Sequence, residues 1–401
     1  MNIAIDIRAL GHGTVSGVTV YIQELLKHLF ILDKENTYIL YGNSFRDVKK
    51  NIPLFEAPNV RFCFTRIPNK FLNIFLRFFN FPKLDRIILK KYPDLQKIDL
   101  FFIPDPRISP ISSSVKKIMT FHDLSFERFP SHFTLKTRLW HRLLNPRKEA
   151  LSSDKIIAVS RFTQNELHSY YGIPLDHISV IYHGLSHDFG LHVSEADILA
   201  VKKKYHLPEK YILSLSTLER RKNLQNLIKA FECFCRENLE PYHLVIAGIA
   251  HSKIFRNVDL GSHSKVHCIG FVDEAQKAAL LKGSSAFVNL SLYEGFGIPV
   301  LEALRCKVPI LASDIAVFRE LLGYNTFFVD PYDIFSIANG MKRIVHLSDK
   351  DDYRERLFIL SQNFSWEKCA KEVLFTFFGV VFDKNPDNRG DGYSENDAKN
   401  A

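Results

Sequence analysis

The chain is predicted to be α/β, with two parallel-sheet domains facing a cleft. Three observations lead there. At 401 residues the chain is longer than one hydrophobic core usually organises. Twice, from Asn2 and again from Tyr211, an apolar strand runs through a polar loop into a helical pattern, and strands alternating with helices build a parallel sheet covered on both faces. A third strand-turn-helix, Ser285 to Leu304, concentrates glycines and carboxylates where such sheets place their ligands.

Asn2 to Ala9 reads as a strand, Gly11-His-Gly-Thr-Val-Ser-Gly17 as a loop, and Val20 to Leu29 as a helix. The G-x-G-x-x-x-G spacing is one residue longer than the dinucleotide fingerprint, and the next strand, Thr37 to Tyr41, ends in Gly42-Asn43 without an acid for a ribose. A nicotinamide dehydrogenase is therefore disfavoured. Between Arg61 and Lys91 eight basic residues face one acid, Asp85, amid many Phe, Ile and Leu. Apolar helices of this kind usually pack on their own domain. The basic, aromatic composition also suits an anionic membrane interface and a lipid-linked acceptor.

Val115 to Thr120 forms the next strand and ends in Phe121-His122-Asp123-Leu124. A lone histidine is usually structural, yet His122 follows the carboxyl end of a strand, where α/β crevices open. Asp154 to Leu167 gives a strand and a helix, and Ile178 to Gly184 a strand and a turn. Residues 186 to 208 read as a polar, helical connection between domains.

The second series begins at Tyr211 and crosses into its helix through Arg220, Arg221 and Lys222. Basic triplets are mostly solvated surface; at a strand-to-helix crossing they are placed to bind a diphosphate. Leu244 to Gly248, Val266 to Val272 and Pro309 to Asp314 continue the sheet, and Ser365 to Phe378 forms a final helix. In Ser291-Leu-Tyr-Glu-Gly-Phe-Gly-Ile-Pro-Val-Leu-Glu302, Gly295 and Gly297 permit a tight turn and Pro299 suits the first helical turn. The helix start offers free N–H groups to phosphate or sugar oxygens. Glu294 and Glu302 flank it with seven residues between them.

That stretch resembles the Glu-x7-Glu signature of retaining glycosyltransferases of the GT-B fold, in particular glycosyltransferase family 4. The His-Asp-Leu at His122 and the Leu-Glu-x-Arg-Lys-Asn segment ending at Asn223 resemble the same family, in the expected order over about residues 1 to 380. The resemblance implies GT-B, two Rossmann-like domains: 1–185 for the acceptor, 186–364 for the sugar-nucleotide donor, 365–382 as a helix crossing back, and 383–401 as a disordered tail. It implies His122 near the anomeric centre and Glu294 on the transferred sugar's hydroxyls as catalytic residues. For the donor it implies Gly17, Arg221 and Lys222 at the diphosphate, Gly270, Phe271 and Val272 at the base, Gly295, Phe296, Gly297 and Ile298 in the glycine turn, and Glu302 on the ribose. Two positions depart from the family: His183 stands where asparagine is common, and Ser216 where many members carry an arginine.

No cofactor and no metal is expected. The D-x-D string Asp349-Lys-Asp351 lies in a charged, surface-like run. Six cysteines without paired spacing argue against zinc and a disulfide framework. The first six residues read as a strand rather than a signal peptide, and no apolar run reaches the ~18 residues of a membrane span, so a cytoplasmic protein, with peripheral membrane contact as a further reading, is expected. The net charge of +9 sits in residues 1–190, with 26 Lys+Arg against 17 Asp+Glu, which suggests an anionic partner. No finger, helix-turn-helix or RNP motif supports nucleic acid. The expected activity is transfer of a hexose, mannose favoured, from GDP-mannose or a UDP-sugar to a glycan or lipid-linked acceptor of surface polysaccharide. A sugar-nucleotide 2-epimerase and a non-catalytic sugar-nucleotide-binding protein are the alternatives.

Overall fold

The structure is a computed structural model that describes residues 1–12, 16–44, 52–53, 55, 57–217, 219–237, 240–248, 264–347 and 350–382. The tail 383–401, Asp349 of the D-x-D string, residues 13–15 of the first glycine loop and Leu218 lie outside the described residues.

Seven parallel strands form the first sheet: β1 (Asn2–Asp6), β2 (Thr37–Asn43), β3 (Val60–Thr65), β4 (Leu100–Ile103), β5 (Lys116–Phe121), β6 (Lys155–Ala158) and β7 (Ile178–Val180), in the order β3-β2-β1-β4-β5-β6-β7. Six form the second: β8 (Tyr211–Leu215), β9 (His243–Ala247), β10 (Val266–Gly270), β11 (Ala286–Asn289), β12 (Ile310–Ser313) and β13 (Phe327–Val329), in the order β10-β9-β8-β11-β12-β13. Period-2 alternation explains why both faces are covered. Ile3 and Ile5 join the apolar layer on one side of the first sheet, while Ala4 joins the layer on the other.

The helices of the first domain are α1 (Gly17–Leu32), α2 (Asn69–Phe79), α3 (Leu84–Lys91), α4 (Ser125–Arg128), α5 (Leu135–Leu144), α6 (Pro146–Leu151) and α7 (Arg161–Tyr171). Those of the second are α8 (Glu195–Lys204), α9 (Leu224–Glu237), α10 (Glu274–Lys282), α11 (Ile298–Arg305), α12 (Ala316–Leu322), α13 (Ile334–Val345) and α14 (Asp351–Ser361). The last helix, α15 (Trp366–Phe382), packs on the first sheet. Trp366, Cys369, Val373 and Phe377 share a core with Ile3, Ile5, Tyr21 and Leu25. Where the chain passes between the sheets, Leu185 bridges Ser365, so the outgoing and returning segments run side by side.

Strand order reverses between β1 and β4 and again between β8 and β11. Crevices open at such switch points, beyond the carboxyl ends of the strands. The loops after β1, β5, β8 and β11 carry every cluster of candidate residues except the one after β10 and Glu302 inside α11.

Candidate active site

The loop after β11 is shaped by its own side chains. The Ser291 N–H donates to Asn289 Oδ1 at 3.1 Å, and the Ser291 hydroxyl lies 2.7 Å from both Asn289 Oδ1 and Glu294 Oε1. Gly297 precedes α11 with φ of 108°, a left-handed conformation that favours glycine. Gly295 is required by close approach: a Cβ there would stand 1.7 Å from the carbonyl oxygen of His122, which belongs to the other sheet's loops. The glycine turn therefore presses the two halves of the site together.

Glu294 is buried at 7% exposure. Arg221 Nη1 donates to its Oε2 at 2.8 Å, and the Lys222 ammonium donates to Oε1. Burial by itself raises a carboxyl's pKa, but the adjacent Lys222 and Arg221 charges outweigh it and hold Glu294 at about 2. Arg221 also reaches Glu219 at 2.8 Å. From sequence alone, Arg221 and Lys222 are free cations facing a diphosphate. In the structure both are charge-paired by Glu294, because the loops after β8 and β11 are neighbours across the switch point; the Leu292 N–H donates to the Arg221 carbonyl at 2.7 Å. Arg220, the third basic residue, is exposed.

On the facing side, His122 Nε2 lies 2.8 Å from the Pro104 carbonyl oxygen beyond β4. Burial lowers its pKa, with Asp105 opposing. Its ring stacks on His183 at 5.4 Å, with Tyr21 of α1 edge-on to both at 4.9 and 4.7 Å. His183 also meets Phe296 edge-on at 4.7 Å and Trp366 at 5.8 Å. Position 183 thus joins α1, the β5 loop, the glycine turn and α15. Burial and the neighbouring His122 push its pKa well down.

Glu302 lies inside α11 at 2% exposure. Lys277 of α10 donates to its Oε1 at 2.7 Å, while Oε2 is buried without a partner among the described residues. Burial raises the Glu302 pKa, with Lys277 opposing. Gly17 is the first residue of α1 rather than part of a loop, because Ser16 caps the helix; a Cβ on it would lie 3.9 Å from Ile298 Cδ1 at the start of α11. Gly270 is the last residue of β10, and Phe271 and Val272 follow it at the same sheet end. The Gly270 carbonyl accepts from the Gly248 N–H at 2.7 Å, Phe271 is half exposed and Val272 is buried.

Four residues around this site, Lys277, Ser291, Tyr293 and Glu166, are not among the sequence candidates. Ser291 and Tyr293 stand inside the quoted stretch and were legible there as polar groups beside Glu294. Lys277 and Glu166 sit on helices among many other charges, and only packing selects them. Among the described residues no group of three or more His, Cys, Asp or Glu side chains is arranged to hold a metal ion, and no described helix is long and apolar enough to cross a membrane.

Two parallel-sheet domains with basic and acidic loops meeting at their switch points make up the GT-B architecture. The family model for glycosyl transferases group 1 matches residues 197–357, and that for glycosyltransferase family 4 matches residues 15–189. O-antigen chain mannosyltransferase B of Escherichia coli is 30% identical over 270 residues, covering 65% of this chain and 69% of that one. Serotype-specific mannosyltransferase WbdA of Escherichia coli is 32% identical over 237 residues, 57% of this chain, though these span only 29% of that longer protein. A glycosyltransferase structure from Rickettsia africae ESF-5 superposes with a TM-score of 0.71 at 20% identity, over 95% of this chain and 99% of that one, and shows the fold. The chain belongs to glycosyltransferase family 4.

Proposed function

We propose that this glycosyltransferase moves mannose, with retention of anomeric configuration, from a nucleotide-diphosphate sugar to a glycan or lipid-linked acceptor in surface polysaccharide assembly. The observation that carries the reading is the Arg221–Glu294–Lys222 cluster facing the His122 loop. The mannosyltransferase names of the relatives support the sugar. A diphosphate entering between the β8 and β11 loops would draw Arg221 and Lys222 away from Glu294. The freed carboxylate would then accept from sugar hydroxyls, while the two cations stabilise the charge that develops on the leaving phosphate. Because protein cations take that role, no metal is required. Glu302, with its unpartnered Oε2, is placed to accept from ribose hydroxyls.

The acceptor side has two exposed apolar faces with basic neighbours. On α2 and the segment after it, Phe75, Phe78, Phe79 and Phe81 are exposed, while Leu72 and Leu76 pack inward. On α5, Leu135, Leu139 and Trp140 are exposed, and residues 131–148 hold five Lys+Arg and no acid. Such surfaces favour an anionic leaflet carrying a lipid-linked acceptor.

Labelled GDP-mannose, UDP-glucose and UDP-galactose, each offered with a lipid-linked saccharide and with EDTA present or absent, test the reading. Transfer from GDP-mannose that survives EDTA, with an α-anomer product by NMR, is expected. An inverted product, or turnover of donor to an epimer without acceptor, would overturn it.

A further inference from the structure

Tyr293 is among the largest fully buried side chains and lies directly before Glu294. Its backbone belongs to the second domain: its carbonyl accepts from Arg221 Nη1 at 3.3 Å. Its hydroxyl belongs to the first. There it accepts from the Leu124 N–H at 2.8 Å, two residues after His122, and donates to Glu166 Oε2 on α7. The other Glu166 oxygen accepts from Arg128 Nη1 at 2.9 Å. The guanidinium of Arg128 lies 5.8 Å above the Tyr293 ring, and Phe129 and Phe162 meet that ring edge-on at 5.6 Å.

The chain of donors runs one way, from Leu124 N–H to the tyrosine oxygen to Glu166, with Arg128 closing the far end. Only a group that both accepts and donates can stand at Tyr293. Close by, Ser160 Oγ donates to the Gly295 carbonyl at 2.7 Å, and Glu320 of α12 accepts from the Arg161 and Phe162 N–H groups at 2.7 and 3.0 Å. Those contacts dock the start of α7 on the second domain. The Tyr293 relay differs in reaching the His122 loop itself.

We infer that Tyr293 is a positioning residue: its hydroxyl, through Leu124 N–H and Glu166, sets the distance between His122 on one domain and Glu294 on the other. The inference rests on the reading above that these two residues flank the transferred sugar. A displacement of about 1 Å at reacting groups can cost on the order of a hundredfold in rate. Apart from Gly17, the residues assigned to the donor nucleotide stand on the second domain and outside the relay, so ground-state nucleotide binding is expected to be largely independent of it.

The test compares the full chain with Tyr293→Phe, Glu166→Gln and the double variant. Tyr293→Phe keeps the ring among Phe129 and Phe162 and removes only the relay. It is expected to speed hydrogen exchange in the peptide spanning Leu124 without changing the β8 peptide, and to lower kcat roughly tenfold to a hundredfold. The Kd for GDP or UDP should stay within about twofold, since the lost interaction acts in the transition state. The double variant should fall no further than Tyr293→Phe, as expected of residues in one network. Unchanged Leu124 exchange in Tyr293→Phe, a Kd that weakens in step with kcat, or additive losses would each overturn the inference. If Tyr293→Phe does not fold, the same exchange and kcat readings on Glu166→Gln decide. Absence of transfer by the unaltered chain from every donor would instead strike the proposed function, and the exchange result would still judge the relay.

Discussion

Lys277 of α10 donates to Glu302 Oε1 of α11 at 2.7 Å, and among the described residues this ammonium is the one hydrogen-bond donor to a carboxylate that is 2% exposed. The pair fixes the height of Glu302 beneath the start of α11. Lys277 itself is one-fifth exposed and also meets Glu274 at 2.8 Å.

Lys277→Ala leaves Glu302 buried and unpaired. A loss of roughly 3–5 kcal/mol is the usual cost of breaking a buried ion pair from one side. Urea unfolding at pH 7 should show a loss approaching that range, and Glu302→Gln in the same background should recover most of it. A loss no larger than an exposed pair's, about 0–1 kcal/mol, would mean that the carboxyl is protonated even in the native chain.

Glu294 makes stability depend on pH in a defined window. Its folded pKa, held at about 2 against an ordinary value of 4.5, is depressed, so the unfolded chain binds the proton first as pH falls. The contribution is present above 4.5 and disappears between there and about 2, on the order of 3 kcal/mol at the usual conversion of pKa to free energy. Unfolding free energies of Glu294→Gln between pH 5 and pH 3 should fall less steeply than those of the unaltered chain.

His183 acts in the opposite range of charge. Burial disfavours its cation, so the unfolded chain takes a proton below about pH 6.5 while the folded one resists. Stability from this residue is complete above that pH and declines below it. Its Nδ1 has no partner among the described residues, and Tyr21, Phe296 and Trp366 surround the ring. His183→Phe should therefore match the native melting temperature at pH 7.5 within a few degrees and exceed it at pH 5.5.

Gly17 and Gly295 separate room for a ligand from room for the protein. Among the described residues a methyl on Gly17 meets nothing closer than Ile298 at 3.9 Å, whereas one on Gly295 collides with the His122 carbonyl at 1.7 Å. Gly17→Ala should leave the melting temperature unchanged and weaken nucleotide-sugar binding. Gly295→Ala should cost about 1–3 kcal/mol, as overpacking does, and lower activity further by separating the two loops.

The exposed phenylalanines give a membrane prediction. Flotation with vesicles of phosphatidylglycerol should carry the protein at low salt and release it at high salt, since charge attraction is screened. Neutral phosphatidylcholine vesicles should bind little. Phe78→Ser with Phe79→Ser should abolish flotation while leaving the melting temperature within a degree or two, because both side chains are about two-thirds exposed. Equal binding to both vesicle types would show an apolar surface without the electrostatic part.

Some of this was legible early because it is written in local order. The stretch from Ser291 to Glu302 folds as its residues require: Gly297 takes a left-handed φ and Pro299 enters the first turn of α11. Two strands of the first sheet were harder to read. β3 mixes polar and apolar residues, and β4 is four residues between Asp99 and Pro104, too short to show a period. Yet β4 leads directly into Pro104, whose carbonyl oxygen lies 2.8 Å from His122 Nε2.

Local sequence by itself determined the α/β class, the two series of strands and the chemistry of the glycine turn, because strand period, helix capping and turn preference act over a few neighbouring residues. Tertiary structure alone decided that Arg221 and Lys222 close on Glu294, that Lys277 supports Glu302, and that Tyr293 reaches across to Leu124. Those contacts join residues 25 to 169 positions apart, and no local preference encodes them. They follow from strand order, which brings the loops after β8 and β11 to one switch point, and from burial, which leaves each carboxylate no stable choice except the nearest donor.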